Sequence, residues 1–294
     1  MELNKTFRRP LRQEQLKIFL SEDLGYGDIT SEALIPQEQR AHAHLFFKEK
    51  GVTAGLEEAS VIFTMLDCEV KHLERDGNWV PPGKVLLEFD GPARSLLLGE
   101  RVALNLISHM AGIATATAKV VERVRKISPS TRVAATRKTT PGLRDLEKRA
   151  VELGGGDTHR LGLDDCVLIK DNHLELLPNI SEAVHLARRR ISFTKKIEVE
   201  VRGHEEAEEA ARAGADIIMF DNMEPSAIRE SLRRLEEAHL RAGRLFEASG
   251  GITAENAADY AGTGVDVVSL GSLTHSVRAL DVKLEIMMTE GTGA

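Results

Sequence analysis

The sequence predicts an α/β barrel, TIM-like and incomplete, with a smaller N-terminal α+β domain, and three observations lead there. Six short apolar runs in the second half, at 132–136, 166–169, 197–201, 216–220, 245–248 and 266–269, each stop at a charged or glycine-rich turn. Helical patterns around 181–190, 205–213, 225–240 and 254–260 alternate with the later runs, and about thirty residues separate one run from the next, the repeat of a β-α unit. Most residues able to do chemistry lie at the ends of those runs, where the parallel strands of a barrel deliver them to one common mouth. No GxGxxG follows the first run, which argues against an open doubly wound sheet.

At 294 residues the chain exceeds an average domain and accommodates two cores. We divide it into an N-terminal domain over 1–113, a catalytic barrel over 114–273, and a tail over 274–294 that packs back on the first domain. Within the first part, 11–20 has helical apolar spacing, and the stretch 22–30 reads as a glycine-punctuated loop. Short strands are expected at 45–47, 68–73 and 84–89, the last entered through the turn Pro81-Pro82-Gly83. The composition then changes over 96–126 to a long helix rich in small residues. Gly112 and Ala111, Ala114, Ala116 and Ala118 permit close helix packing, within the fold or across a subunit interface. Arg101, Asn105 and His109 lie four apart on one face, and spacing alone favours a solvated polar stripe. Gly214, Gly243 and Gly264 fall at or just past helix ends.

A formal net charge of -7 argues against general nucleic-acid binding, which needs a basic surface, so an anionic ligand has to be gripped locally. The two cysteines, Cys68 and Cys166, form no CxxC and suit a reducing compartment; neither a disulfide nor a zinc site is expected from them. The charged N-terminus lacks the apolar stretch of a signal peptide or membrane span, and a cytoplasmic protein without membrane partners is expected.

Three constellations carry the chemistry. Ser249-Gly250-Gly251 and Ser269-Leu270-Gly271 end the last two runs, where barrels usually bind phosphate. Glycines admit close N–H contacts to an anion, and a helix start adds a favourable dipole. Either loop alone reads equally as a tight turn; two together favour phosphate. Arg137, Lys138, His159, Arg160 and Lys170 gather at or just after neighbouring run ends and suit a small polyanion, unless Asp157, Asp164, Asp165 and Asp171 pair with them. Glu198 and Glu200 share one face of their strand by alternation, with Asp221 ending the next. Carboxylates facing a barrel interior need a partner, which is either magnesium with substrate phosphates or a salt bridge to Lys170 or Lys138. No GxSxG elbow supports a serine triad, Cys166 reads as core, and His42 and His44 read as surface residues rather than metal ligands.

The stretches DLGYGDITS (23–31), ERVALNLISHMAGIATAT (100–117), TRKTTPGLRDLEKRAVELGGGDTHRLGLDDCVLIKDNH (136–173), IEVEV (197–201), GADIIMFDN (214–222), EASGGI (247–252) and VDVVSLGSL (265–273) carry a resemblance. In this order they resemble the quinolinate phosphoribosyltransferase family, the decarboxylating enzymes of NAD synthesis also called nicotinate-nucleotide pyrophosphorylases. Ala111 stands where serine is usual in the family, and Phe220 where leucine is usual.

The resemblance implies transfer of phosphoribosyl from phosphoribosyl pyrophosphate to quinolinate, with magnesium, giving nicotinate mononucleotide, pyrophosphate and carbon dioxide. It implies that Arg137, His159, Arg160 and Lys170 hold the dicarboxylate and that Arg101 reaches in from a neighbouring subunit of a homodimer or higher homo-oligomer. The helix beginning near Glu100 then becomes interface rather than solvated stripe. It further implies that Lys138, Glu200 and Asp221 handle phosphoribosyl pyrophosphate and magnesium, and that Ser249, Gly250, Gly251, Ser269 and Gly271 cradle phosphate; Lys138, Lys170, Glu200 and Asp221 are the expected catalytic set. Three alternatives stand beside it: a paralogue such as the molybdenum-transport-associated relatives, a Schiff-base aldolase using Lys170, and a silent barrel that only binds phosphorylated metabolites.

Overall fold

The computed structural model describes residues 13–288, which fall into two compact units: 13–115 with 278–288, and 116–277. The first unit opens with α1 (Gln13–Leu24) and α2 (Ile29–Leu34). Part of the expected 22–30 loop is therefore helical, because the Asp28 carboxylate accepts the N–H groups of Thr30 and Ser31 at 3.2 and 3.0 Å and starts α2 as its N-cap. Residues 11 and 12 of the expected first helix lie outside the described residues.

Next come β1 (Arg40–Phe47), β2 (Gly51–Val52), α3 (Leu56–Met65), β3 (Glu69–His72), β4 (Trp79–Val80) and β5 (Val85–Pro92). Strand β1 is longer than the run 45–47, since strict alternation buries Ala41, Ala43, Leu45 and Phe47 on one face while His42 and His44 occupy the other. The helix α4 (Ala93–Ile127) contains the boundary between the units at Thr115. A four-stranded antiparallel sheet orders as β12-β1-β5-β3, where β12 (Val282–Met288) is the last described strand.

The second unit runs β6 (Arg132–Ala134), α5 (Arg144–Leu153), β7 (Val167–Ile169), α6 (Asp171–Leu174), α7 (Ile180–Arg190), β8 (Ile197–Val201) and α8 (His204–Ala213). It continues with β9 (Ile217–Asp221), α9 (Pro225–Glu237), β10 (Leu245–Ser249), α10 (Ala257–Ala261), β11 (Val267–Ser269) and α11 (Ser272–His275). Six parallel strands order as β6-β11-β10-β9-β8-β7, the incomplete α/β barrel. Beyond β6 the chain returns at Asp157, whose N–H donates to the Val133 carbonyl at 2.8 Å and whose carbonyl accepts from Ala135 N–H at 2.9 Å. From there Arg160 Nη1 donates to the Cys166 carbonyl just ahead of β7, at 3.4 Å, so the segment 157–160 occupies the gap between the two edge strands.

Alternation explains the core. Ile197, Val199, Val201, Ile218, Phe220, Phe246, Ala248 and Val268 point toward the helices and meet Ala183, Val184, Ala207, Ala210, Ile228, Leu232 and Leu235. Phe220 and Phe246 stack at 6.2 Å between centroids, and burial of each contributes roughly 1.5–3 kcal/mol. Helix α8 ends at Gly214, whose φ of +88° is the left-handed stop that a side chain would strain. Among the described residues no helix is long and apolar enough to cross a membrane.

Candidate active site

Because Ile197, Val199, Val201, Ile218, Phe220, Phe246, Ala248 and Val268 face outward to the helices, the intervening positions face the barrel interior, and they include Glu198, Glu200, Asp221, Glu247, Ser249 and Ser269 beside the apolar Met219 and Val267. Ladder register sets Glu200 of β8 beside Met219 of β9 and Glu247 of β10, and one step further along sets Asp221 beside Ser249. These strands end at one rim. There, Lys170 Nζ lies 3.0 Å from Glu200 Oε2, the salt-bridge partner that alternation left open between Lys170 and Lys138. Asp221 accepts a 2.8 Å hydrogen bond from Asn222 Nδ2 at Oδ2.

The two glycine loops stand beside these groups. Gly250 has φ +84°, and a Cβ there would sit 2.5 Å from Asn222 Oδ1 and 2.8 Å from Asn222 N, so this turn admits only glycine without displacement. Ser269 is buried, and its Oγ has no hydrogen-bond partner. Gly271 lies against the Lys138 side chain: a Cβ on it would approach Lys138 Cδ to 3.0 Å. The Lys138 carbonyl accepts from Thr274 Oγ1 at 2.9 Å, which fixes this lysine beside the second loop. The expected helix dipole contributes little, since only the four-residue α11 follows Gly271 and no helix begins after Gly251 until Ala257. The donors these loops present are backbone N–H groups and the Ser269 hydroxyl.

The local aspartates do not neutralise the cations. Asp157 pairs with Arg132 at 3.3 Å, Asp171 pairs with Arg202 at 2.7 Å, and Asp165 accepts backbone N–H groups of Leu161 and Gly162. Arg137 and Arg160 each keep a buried Nε without a partner. A buried guanidinium donor left without an acceptor is costly, and Arg149 and Arg244 carry such an Nε as well.

Beneath this rim lies a trio that the candidate set held only in part. His159, at φ +51°, places Nε2 3.1 Å from Glu247 Oε2 and 3.6 Å from Glu198 Oε1. Both carboxylates are almost fully buried, and Oε1 of each has no hydrogen-bond partner. Burial works against a charged His159 ring, but the hydrogen bonds and charges of Glu198 and Glu247 outweigh it and lift its pKa to about 10. Burial also pushes Glu198 upward, and Glu247 adds to that. Meanwhile Nδ1 of the ring takes the Arg160 N–H at 2.7 Å, so the ring hydrogen sits on Nε2, and gaining a second proton breaks this contact. Glu247 was missed in the sequence although alternation places it on the same face as Ser249.

Helix α5 supports the segment that carries His159 and Arg160. Its Lys148 is buried and donates from Nζ to the Thr158 carbonyl. Desolvation, then repulsion from Arg144, brings this lysine down to about 8, with Arg137 and Arg160 also opposing its charge. Burial pushes the Cys166 thiol up to about 11, which keeps it unreactive. Arg101 and Asn105 are exposed on α4 in the other unit.

The same sequence matches the family models described as quinolinate phosphoribosyl transferase, N-terminal domain over residues 28–111 and C-terminal domain over residues 113–285. The chain belongs to the quinolinate phosphoribosyltransferase family. It is 47% identical over 264 residues to the probable nicotinate-nucleotide pyrophosphorylase (carboxylating) of Methanothermobacter thermautotrophicus, covering 90% of this chain and 95% of that protein. To the human nicotinate-nucleotide pyrophosphorylase (carboxylating) it is 40% identical over 258 residues, 88% of this chain and 86% of that one. The crystal structure of NadC from Streptococcus pyogenes superposes with a TM-score of 0.88 at 38% identity, over 94% of this chain and 96% of that chain. The nicotinate-nucleotide pyrophosphorylase of Francisella tularensis does so at 0.87 and 33%, over 94% and 95%.

Proposed function

We propose that this chain is a quinolinate phosphoribosyltransferase, joining quinolinate to the phosphoribosyl of phosphoribosyl pyrophosphate and releasing pyrophosphate and carbon dioxide in NAD biosynthesis. The observation that carries the reading is the pair of buried, unpartnered guanidinium Nε donors of Arg137 and Arg160 at the rim that also holds Lys170. A pyridine dicarboxylate supplies the missing acceptors. Arg137, Arg160 and Lys170 take its carboxylates, and His159 sits below them between Glu198 and Glu247.

The phosphoribosyl pyrophosphate lies along the other arc, its phosphate against Ser249, Gly250, Gly251, Ser269 and Gly271, and its pyrophosphate against Lys138. Glu200 and Asp221 fit magnesium by donor chemistry: all oxygen, each with one carboxylate oxygen engaged by Lys170 or Asn222 and the other left to a hard cation. When bound, that ion offsets negative charge on the departing pyrophosphate.

As the ring nitrogen of quinolinate attacks the anomeric carbon, positive charge builds on the sugar, and the Glu200 and Asp221 carboxylates stabilise it while Lys138 stabilises the leaving group. The alkylated, cationic ring nitrogen then stabilises, through its adjacent positive charge, the electron pair left on the ring carbon as the neighbouring carboxylate leaves as carbon dioxide, and that carbon takes up a proton from solvent to complete the product. Holding two anions side by side is the main task, and the cations do it.

The active unit is a homo-oligomer in which Arg101 of one subunit completes the site of another; cysteines left unpaired suit a reducing cytoplasm. Incubation with quinolinate, phosphoribosyl pyrophosphate and magnesium, scored for nicotinate mononucleotide, tests the activity. Product is expected from quinolinate and little from nicotinate, which lacks the second carboxylate. Equal turnover of nicotinate, or none of quinolinate, would reject the reading.

A further inference from the structure

The outer face of the N-terminal sheet holds a second constellation that shares no residue with the barrel site. In the antiparallel register of β1 and β5, His42 lies opposite Asp90, and His44 opposite Glu88. Alternation puts both imidazoles on one face, and their rings stand edge to face, 4.6 Å between centroids at 88°. Their Nε2 atoms are 2.7 Å apart, and Glu88 Oε1 is 3.8 Å from His44 Nε2. The two half-exposed surface histidines bring their Nε2 atoms to one point, where the His44 Nε2–H donates to the His42 Nε2 lone pair, and a cation held there takes the place of that hydrogen.

Proton bookkeeping defines that point. Asp90 Oδ1 lies 2.8 Å from His42 Nδ1, and a carboxylate only accepts, so the His42 hydrogen is on Nδ1 and its Nε2 offers a lone pair. Glu88 has its other oxygen, Oε2, held by Lys71 Nζ at 2.9 Å, which leaves Oε1 facing the histidines. Glu69 stands across from Asp90 on β3, and Glu285 stands across from His44 on β12, paired with Lys283. A carboxylate behind the non-ligating nitrogen is the usual support of a metal-bound histidine, because it fixes the tautomer and raises the basicity of the other nitrogen.

We infer that His42 Nε2, His44 Nε2 and Glu88 Oε1 form a site for a zinc-class divalent cation, with Asp90 as the support behind His42. Ligands of a tetrahedral zinc at its usual bond lengths lie about 3.3 Å from one another. The observed 2.7 and 3.8 Å bracket that spacing, so small side-chain rotations suffice. Two imidazoles and one carboxylate suit zinc, nickel or copper, whereas magnesium prefers oxygen alone. The ion joins β1 to β5 through their side chains.

Calorimetric titration of zinc into the full chain, with magnesium in excess to occupy the hard-cation site, tests this. One tight equivalent per chain is expected, absent in His42→Ala and His44→Ala, and about tenfold to hundredfold weaker in Asp90→Asn. Zinc should raise the Tm of the unaltered protein and of neither alanine variant. These half-exposed side chains lie opposite the buried Ala41, Ala43 and Leu45, so the variants keep the sheet's core and the transferase activity. No tight equivalent in the unaltered protein, or an equivalent that survives both alanine substitutions, overturns the site.

Discussion

Arg137 is where a single side chain decides most. Its Nε is buried and unpartnered, and on the proposed function quinolinate supplies the acceptor. Arg137→Ala should weaken quinolinate roughly tenfold to a hundredfold, the worth of a charge-assisted hydrogen bond, with phosphoribosyl pyrophosphate affinity largely kept. Calorimetry with each ligand separately checks this; unchanged quinolinate binding removes Arg137 from the pocket. His159 is the second such residue. Its pKa is raised from 6.5 to about 10, so the protonated ring stabilises the fold fully below pH 6.5, and that contribution fades as the pH rises toward 10. Urea unfolding of the unaltered protein and His159→Gln across this range should show a stability difference that shrinks with pH. Its low-pH size is on the order of a few kcal/mol. A pH-independent difference would mean that the ring stays neutral throughout, the state in which Nδ1 accepts the Arg160 N–H.

Elements decide where such residues point. Strand β8 buries all five of its residues, yet Ile197, Val199 and Val201 meet helices while Glu198 and Glu200 meet His159 and Lys170. That division was legible from alternation, and the same rule applied to β10 would have found Glu247. Helix α5 was not legible. Its buried face includes Glu147 and Lys148 beside Leu146, Ala150 and Val151, so charges interrupt the apolar period that marks a helix. Between β10 and α10 the Gly250 turn is fixed by Asn222. Gly250→Ala should cost about 1–3 kcal/mol of stability through its left-handed backbone and the displaced asparagine. It should also weaken phosphoribosyl pyrophosphate while sparing quinolinate. Unfolding together with calorimetry checks it, and unaltered phosphoribosyl pyrophosphate affinity would take this loop out of the phosphate cradle.

At the scale of the molecule, the question is whether one chain makes a whole site. Arg101 is exposed on α4 in the N-terminal unit, whereas Arg137, Lys138, Arg160, Lys170, Glu200 and Asp221 belong to the barrel unit. If Arg101 serves a neighbouring subunit, co-refolding Arg101→Ala with Lys138→Ala yields mixed dimers in which one of the two sites has neither defect. Statistical mixing then restores about a quarter of full activity. Activity no higher than the sum of the two parents, in dimers shown to be mixed, would confine Arg101 to its own subunit.

The sequence by itself determined the parallel strands, the rim on which the reactive groups lie and the family, because period-two alternation, glycine turns and the TRKTTPG and HR motifs are local patterns. Only the tertiary structure decided which charges meet. Lys170 with Glu200, His159 with Glu198 and Glu247, and His42 with His44 and Asp90 are fixed by strand register and by the return of the chain at Asp157. Pairing of this kind depends on distance in space, and hydrophobic periodicity carries no record of which polar groups remain unsatisfied once the core has closed.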